Sequence, residues 1–170
     1  QLDYKGTILY SAFSEPLLHK DLDQLLMLTK QYCPQSCSEV VTNGDFLDVD
    51  RIQRLFDSGL DTLYISLYDG PHQEEHFLKM KKEAGLKNDQ LILRVRYLPE
   101  EQNFGLILNN RAGIINPLFE VIEEACFYPF YELSVDYDGS VLLCPQDWSK
   151  RYKIGDLNKQ SIMEVWTDSD

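Results

Sequence analysis

Apolar residues follow two alternating patterns in the first hundred residues. Short apolar runs rich in β-branched residues predict strands, and longer stretches with apolar residues three or four positions apart predict amphipathic helices. The predicted strands are residues 6–10, 38–42, 62–67 and 91–97. The helices predicted between them are residues 17–32, 49–58 and 72–84. Strand and helix alternating with short links predict right-handed βαβ units and a parallel sheet.

The pattern changes after residue 97. Residues 99–117 are rich in loop-forming residues, and their one apolar run, residues 104–108, is a candidate further strand. An Asp138-Gly139 turn between two alternating runs is typical of a β-hairpin, and residues 159–166 suit a last short helix. We therefore predict an α/β unit over residues 1–118 and a small cysteine-containing appendage over residues 119–170.

Composition narrows the class of protein. The chain has 170 residues, of which 44% are hydrophobic, enough for one domain with a sizeable core. A formal net charge of −12 argues against nucleic acid or an anionic membrane as the partner. The sequence has neither a long apolar span nor a signal-peptide pattern, so we predict a cytoplasmic protein. A chain that opens at Gln1 and enters a strand almost at once favours a fragment or a processed chain.

Polar residues gather at the carboxyl ends of three predicted strands, where parallel sheets bind their ligands. Glu15 could accept hydrogen bonds from a cationic amine, and Ser66 could bond to a sugar hydroxyl. The alternative is that Glu15 caps the following helix and that Asn-Gly is only a turn. The residues concerned are Ser14-Glu15-Pro16, Thr42-Asn43-Gly44 and Ser66.

Charged side chains elsewhere offer weaker candidates. Arg94 and Arg96 alternate with Val95, so they share one face of the fourth predicted strand, where a cation could bind a cofactor carboxylate. His72 and His76 are four residues apart on a charged helix. That spacing favours a solvent-facing surface over a zinc site.

The four cysteines fall into two pairs. Cys33 and Cys37 have a Cys-x3-Cys spacing without a third cysteine, so we interpret them as part of a structural loop. Cys126 and Cys144 lie at the base and the tip of the predicted hairpin, where two thiolates could supply half of a four-thiolate iron-sulfur site. The alternative for this second pair is two buried cysteines in a small β unit.

Together these motifs resemble the radical S-adenosylmethionine enzymes. Ser14-Glu15-Pro16 stands where that family usually has Gly-Glu-Pro, and Thr42-Asn43-Gly44 matches its Thr-Asn-Gly. The resemblance implies a partial (β/α) TIM-like barrel whose first βα unit is missing here. It also implies that Glu15 meets the amino group of S-adenosylmethionine and that Ser66 contacts the ribose.

The C-terminal part resembles the SPASM and twitch extensions of that family. Cys126, Gly139 and Cys144 fit the pattern Cys-x(9–15)-Gly-x4-Cys, which implies ligands of an auxiliary [4Fe–4S] cluster. Residues 109–113 resemble the Asn-Arg-Gly-Gly stretch of the twitch-domain dehydrogenases of aminoglycoside biosynthesis, which makes Arg111 the candidate catalytic-site contact to substrate. The implied partners are a small-molecule or peptide substrate and an electron donor such as flavodoxin or ferredoxin.

One family motif is missing from the 170 residues. They contain no Cys-x3-Cys-x2-Cys run to bind a catalytic cluster. We therefore expect the C-terminal two thirds of a radical S-adenosylmethionine oxidoreductase, inactive by itself and exposing an edge at residues 6–10 through which copies could associate. The alternatives are a degenerate, non-catalytic binding module and an unrelated α/β nucleotide binder, although no Gly-x-Gly-x-x-Gly or Walker sequence supports the latter.

Overall fold

The structure is a computed structural model that describes residues 3–102, 105, 111–113 and 124–168. It divides into two compact units, Gln1–Ile107 and Leu108–Asp170, called unit 1 and unit 2 below. The boundary predicted near Phe119 lies outside the described residues and stays a prediction. Apart from Gly105, the same holds for the candidate strand at residues 104–108.

Unit 1 is a parallel sheet with helices between its strands. The sheet order is β1-β2-β3-β4, so the predicted parallel α/β arrangement is confirmed. The strands are β1 Thr7–Tyr10, β2 Cys37–Thr42, β3 Thr62–Leu67 and β4 Leu91–Val95. The helices are α1 Leu22–Tyr32, α2 Val49–Asp57 and α3 His72–Glu83. None of the helices in the described part of the chain is long and apolar enough to cross a membrane.

One face of this sheet forms the core of unit 1. The register pairs Val40 with Leu63 and Leu63 with Leu91, which places their side chains in a row across three strands. Helices α1 and α2 cover this row with leucine and isoleucine side chains that are at most 1% exposed. Because side chains alternate along a strand, the neighbouring residues of these strands lie on the opposite face of the sheet.

The second face of the sheet is more polar and only partly buried. It carries Glu39, Tyr64 and Arg94, together with Leu9 at the edge strand, which is 51% exposed. None of these residues belongs to the buried apolar cluster. The apolar core of unit 1 therefore lies on one face of the sheet, and these polar side chains lie on the other.

The first helix begins later than the leucine pattern predicted. Pro16–Leu18 forms a separate 3-10 turn, and α1 begins at Leu22 rather than at residue 17. The extended backbone of His19, with ψ 120°, ends the turn, and its ring nitrogen accepts a hydrogen bond from the amide of Asp21 at 3.2 Å. The predicted start at residue 17 is therefore wrong, because local capping interrupts the apolar periodicity.

Unit 2 is a small antiparallel sheet followed by a helix. The strands are β5 Ser134–Val135, β6 Ser140–Leu142 and β7 Lys153–Asp156, and the helix is α4 Ile162–Asp168. The predicted hairpin is present: β5 and β6 pair, and Gly139 takes a φ of 84° at the turn. Strand β7, which pairs with β6, was not predicted. Its four residues alternate too briefly to distinguish a strand from a loop.

Candidate functional site

The Glu15 carboxylate joins the loop after β1 to the end of β2. Its Oε1 atom accepts hydrogen bonds from the Thr42 hydroxyl at 2.6 Å and from the Leu17 amide at 3.0 Å. Its Oε2 atom accepts a hydrogen bond from the Asn43 amide at 3.0 Å. The predicted capping role of Glu15 is thus present. The same carboxylate also fixes the spacing between two of the predicted ligand-binding motifs, Ser14-Glu15-Pro16 and Thr42-Asn43-Gly44.

The Thr42-Asn43-Gly44 turn is held by its own side chains. Thr42 is 2% exposed, and its hydroxyl accepts a hydrogen bond from the Gly44 amide at 3.0 Å. The Asn43 side chain accepts a hydrogen bond from the Asp45 amide at 3.0 Å, which is an Asx turn. Gly44 has a φ of 85°, and a Cβ placed there would overlap the Phe77 ring. Backbone conformation and lack of space both require glycine at this position.

Ser66 and Arg94 are register neighbours on β3 and β4. Ser66 is 4% exposed, and the Arg94 guanidinium carbon lies 3.7 Å from the centre of the Tyr64 ring. The Tyr64 hydroxyl in turn donates to Glu39 at 3.5 Å, a weak bond. Arg96 lies just beyond the end of β4, where its amide donates to the Leu67 carbonyl at 2.8 Å. Arg94 therefore places a positive charge on the polar face of the sheet.

The cysteines of unit 2 are free thiols, one exposed and one partly buried. Cys126 is exposed, whereas Cys144 follows β6 and is partly buried. The Cys144 sulfur accepts a hydrogen bond from the Gln146 amide at 3.4 Å. Amide-to-sulfur hydrogen bonds of this kind orient and tune thiolate ligands in iron-sulfur sites. This geometry suits Cys144 as a ligand.

A buried aspartate organises the loop that follows Cys144. Asp147 is 1% exposed, and its carboxylate accepts hydrogen bonds from the Tyr152 amide at 2.8 Å and the Ser149 hydroxyl at 3.0 Å. Burial raises the pKa of Asp147, but these hydrogen bonds and the nearby Arg151 outweigh burial, so the pKa is lowered overall. Asp147 therefore stays ionised and holds the loop in one conformation.

The donor set in unit 2 fits part of an iron-sulfur site. Two free thiols, one of them accepting an amide hydrogen bond, have the chemistry of cluster ligands. Among the described residues, no group of three or more histidine, cysteine or carboxylate side chains is arranged to hold a metal ion. Cys126 and Cys144 could supply two of the four thiolates of such a cluster, and their assignment as its ligands stays a prediction.

Arg111 contacts the loop that follows Cys144. Its guanidinium carbon lies 4.1 Å from the centre of the Trp148 ring, and its Nη1 donates to the Gln146 side chain at 3.3 Å. The backbone of Arg111 and Ala112 is left-handed, with φ 48° and 53°. The sequence did not predict Gln146 or Trp148 as partners of Arg111. No local pattern links residues so far apart in the chain.

The remaining candidates from the sequence are Cys33, Cys37 and the His72–His76 pair, and the structure gives them no metal-binding arrangement among the described residues. Cys33 caps the end of α1, and its carbonyl accepts hydrogen bonds from the amide and the hydroxyl of Ser36 at 3.0 and 2.7 Å. Burial, followed by the charges of Asp61 and Glu39, raises the pKa of the Cys37 thiol, which opposes a role as a thiolate ligand. His76 is exposed on α3 and packs against the Phe77 ring.

The similarity to known proteins extends over nearly all of this chain. Residues 126–170 match SPASM, described as an iron-sulfur cluster-binding domain. Over 167 residues the chain is 29% identical to the S-adenosyl-L-methionine-dependent 2-deoxy-scyllo-inosamine dehydrogenase of Niallia circulans, covering 97% of this chain and 64% of that protein. The chain therefore spans less than two thirds of that relative's length.

Two solved structures are also similar to nearly the whole chain. The crystal structure of BtrN in complex with AdoMet and 2-DOIA superposes with a TM-score of 0.78 at 27% identity, covering 97% of this chain and 63% of BtrN. BtrN in an open conformation, at 23% identity over 97% of this chain and 60% of the other, shares the fold with a TM-score of 0.67. The predicted resemblance is confirmed: this chain is similar over nearly its whole length to an S-adenosyl-L-methionine-dependent dehydrogenase, and its C-terminal residues match the SPASM iron-sulfur domain.

Proposed function

We propose that this chain is part of a radical S-adenosylmethionine oxidoreductase. In this proposal unit 1 binds the cofactor at its strand ends, and unit 2 holds part of an auxiliary [4Fe–4S] cluster. The observation that carries the proposal is the likeness, over 97% of the chain, to a dehydrogenase that depends on S-adenosyl-L-methionine. The match of residues 126–170 to an iron-sulfur domain supports the second half. The comparisons do not favour the alternative of a degenerate binding module.

The four-stranded sheet would form part of a partial (β/α) barrel in the complete protein. In such a barrel the helices cover the outside and the opposite face of the sheet lines the interior. The sheet of unit 1 has this division, because its apolar face packs on the helices while Glu39, Tyr64 and Arg94 lie on the other. An added strand beside β1 would also cover its edge. A second copy of the chain is the other candidate to cover that edge.

The residues of the strand ends have complementary roles in this proposal. The Glu15 carboxylate accepts hydrogen bonds from the amino group of the methionine moiety, while Thr42 and Asn43 hold that carboxylate in place. Ser66 bonds to the ribose, and Arg94 or Arg96 meets the methionine carboxylate. Ser14, Pro16 and Gly44 shape the backbone around these groups.

Bound S-adenosylmethionine, cleaved reductively beside a catalytic cluster, supplies the radical that removes a hydrogen atom from the substrate. The ligands of that cluster would come from outside these 170 residues, which contain no Cys-x3-Cys-x2-Cys run. Arg111 binds and orients the substrate, a small molecule or a peptide. Cys126 and Cys144 hold half of the auxiliary cluster, and an electron donor such as flavodoxin or ferredoxin serves the complete enzyme.

The proposal is tested on the full-length protein after anaerobic cluster reconstitution. With dithionite and S-adenosylmethionine, we expect 5′-deoxyadenosine to accumulate, as measured by liquid chromatography. A protein that carries its clusters but forms no 5′-deoxyadenosine would contradict the proposal and favour the binding module.

A substitution at Glu15 tests the cofactor site directly. Glu15→Gln removes the charge while keeping the size of the side chain, and we expect S-adenosylmethionine to bind roughly tenfold more weakly in equilibrium dialysis, as expected for one charged hydrogen bond. Glu75→Gln, on the exposed surface of α3, is the matched control. Because Glu15 also braces the fold, the thermal midpoint of each variant is measured. A folded Glu15→Gln variant with unchanged affinity would contradict the assignment.

A further inference from the structure

The loop that begins at Cys144 reaches both the candidate cluster ligand and the candidate substrate arginine. We call residues 144–152 the cysteine loop. At its start the Gln146 amide donates to the Cys144 sulfur at 3.4 Å, and the Asp147 amide donates to the Cys144 carbonyl at 3.0 Å. These two bonds fix the direction of the chain as it leaves the cysteine.

The same loop binds the Arg111 segment at three points. The Arg111 guanidinium stacks on Trp148 at 4.1 Å and donates to the Gln146 side-chain oxygen at 3.3 Å. Arg151 donates to the Ala112 carbonyl at 2.5 Å. Since Arg111 and Ala112 both have left-handed backbones, which non-glycine residues adopt only under constraint, these contacts hold a conformation that the segment would not choose alone.

Gln146 is the shared residue of these two sets of contacts. Its main-chain amide bonds to the Cys144 sulfur, and its side-chain oxygen bonds to Arg111. The Trp148 amide bonds to the Gln146 carbonyl at 2.9 Å, which ties the stacking ring to the same residue. Gln146 therefore contacts both the Cys144 sulfur and the Arg111 guanidinium.

Buried Asp147 makes this connection stiff. It stands between Gln146 and Trp148, and its carboxylate is held by the Tyr152 amide and the Ser149 hydroxyl. A loop closed around a hydrogen-bonded carboxylate resists rearrangement, because opening it would break these intramolecular hydrogen bonds.

We infer that Trp148 and Gln146 are positioning residues for Arg111, and that the cysteine loop links the state of Cys144 to the placement of the Arg111 guanidinium. The inference rests on the proposed function for the role of Arg111 and for iron at Cys144. The contacts between Arg111 and the loop do not depend on either. An empty or oxidised thiol at Cys144 would loosen the arginine, and a bound thiolate would hold it.

The experiment measures how fast Arg111 reacts with phenylglyoxal in the full-length protein, followed by peptide mass spectrometry. Exposed Arg54 on α2 is the internal standard. We expect Trp148→Leu to speed labelling of Arg111 by about two- to fivefold, the effect of losing one partly exposed cation–π contact. Trp148→Tyr, which keeps an aromatic face, should restore slow labelling.

Trp166→Leu is the matched control, because Trp148 and Trp166 are 41% and 43% exposed and both lie in unit 2. Unchanged labelling in Trp148→Leu, or equal acceleration in Trp166→Leu, would overturn the inference. If Trp148→Leu fails to fold, Gln146→Ala replaces it with the same expectation, and unchanged labelling there overturns the inference equally.

A second arm separates this inference from the proposed function. Reconstitution with iron and sulfide should slow labelling of Arg111 in the wild-type protein, and Cys144→Ser should abolish that slowing. A protein that takes up no iron would overturn the proposed cluster, while the Trp148 series would still decide the positioning role. A protein that takes up iron at Cys144 without any change at Arg111 would overturn the link.

Discussion

Glu15 has the capping role, one of the two that the sequence presents as alternatives. It caps the Pro16–Leu18 turn and also accepts hydrogen bonds from the side chain of Thr42 and the amide of Asn43. A carboxylate that accepts three donors is pre-oriented, and pre-oriented groups bind ligands at lower entropic cost. These hydrogen bonds are compatible with the ligand-binding role of Glu15, which stays a proposal.

Gly44 gives the first prediction. We expect Gly44→Ala to lower the free energy of unfolding by roughly 1–3 kcal/mol, because the new Cβ meets a positive φ and the Phe77 ring together. Urea denaturation measures this loss. The control is Gly85→Ala, which has a similar φ of 70° and no heavy atom within 4 Å of the new Cβ. Equal losses in both variants would contradict the steric part of the explanation.

The candidate residues at the strand ends were predictable, whereas their partners were not. Glu15, Thr42, Asn43 and Ser66 follow predicted strands, and in a parallel sheet strand order is enough to bring strand ends together. The stacking of Arg94 on Tyr64 and of Arg111 on Trp148 depends on register and on loop conformation. Single-sequence periodicity contains neither.

Strands and helices with a strong apolar periodicity were predicted well, whereas helix starts that depend on capping were not. All four strands of unit 1 were found, but α1 begins at Leu22 and α4 begins at Ile162 instead of at residues 17 and 159. In both cases a local hydrogen bond decides the start. At α4 the Ser161 and Glu164 side chains bond to each other's backbone amides at 3.2 and 2.7 Å, a capping box.

This capping box gives a prediction for α4. Ser161→Ala should lower the stability of unit 2 by about 1 kcal/mol, because it removes the acceptor for the Glu164 amide. Hydrogen exchange of the amides of residues 162–168 measures the local effect. Thr167→Ala, near the other end of the helix, is the comparison and should leave the first turn protected. Similar exchange in the first turn of both variants would contradict the capping role.

Acid should destabilise unit 2 through several of its carboxylates. Hydrogen bonds from Lys159 and Asn158 lower the pKa of Asp156 to about 2, and the Ser140 amide lowers the pKa of Asp138. The Ser161 amide likewise lowers the pKa of Glu164. Because these folded-state pKa values lie below the unfolded ones, their stabilisation is complete above about pH 5 and is lost as the pH falls toward about 2.

Tryptophan fluorescence measures this loss, because both tryptophans, Trp148 and Trp166, lie in unit 2. We expect the urea midpoint reported by tryptophan to fall between about pH 5 and about pH 2. Asp156→Asn should flatten that dependence, whereas Asp45→Asn, in an exposed turn of unit 1, should not. A wild-type midpoint independent of pH would contradict the assignment.

At the scale of the whole molecule, the chain consists of two compact units, and each has its own buried apolar side chains. Unit 1 has its own apolar core of at least a dozen buried side chains between Leu17 and Leu91. Unit 2 buries only Val141, Leu142 and Val165 among its large hydrophobic residues in the described ranges. In the proposed function, a bound cluster would add to the stability of this unit, because metal binding and folding are coupled in such sites.

Iron content tests that dependence. In the reconstituted full-length protein we expect Cys144→Ser to lose about four iron atoms per chain, one [4Fe–4S] cluster, and to lower the thermal midpoint of unit 2. Cys33→Ser alters a cysteine in the turn after α1 and should leave the iron content unchanged. Equal iron in the two variants would exclude Cys144 as a ligand.

The hydrogen bonds of Glu15 also have an evolutionary consequence. A residue that folds the binding site stays under selection for folding after a lineage has given up the chemistry, so inactive descendants would keep Glu15, Thr42 and Asn43 as relics. Substitutions would accumulate first at Ser66, because its side chain lies outside that set of hydrogen bonds. Under the proposed function, the serine would therefore mark retained cofactor binding among relatives of this chain better than the glutamate would.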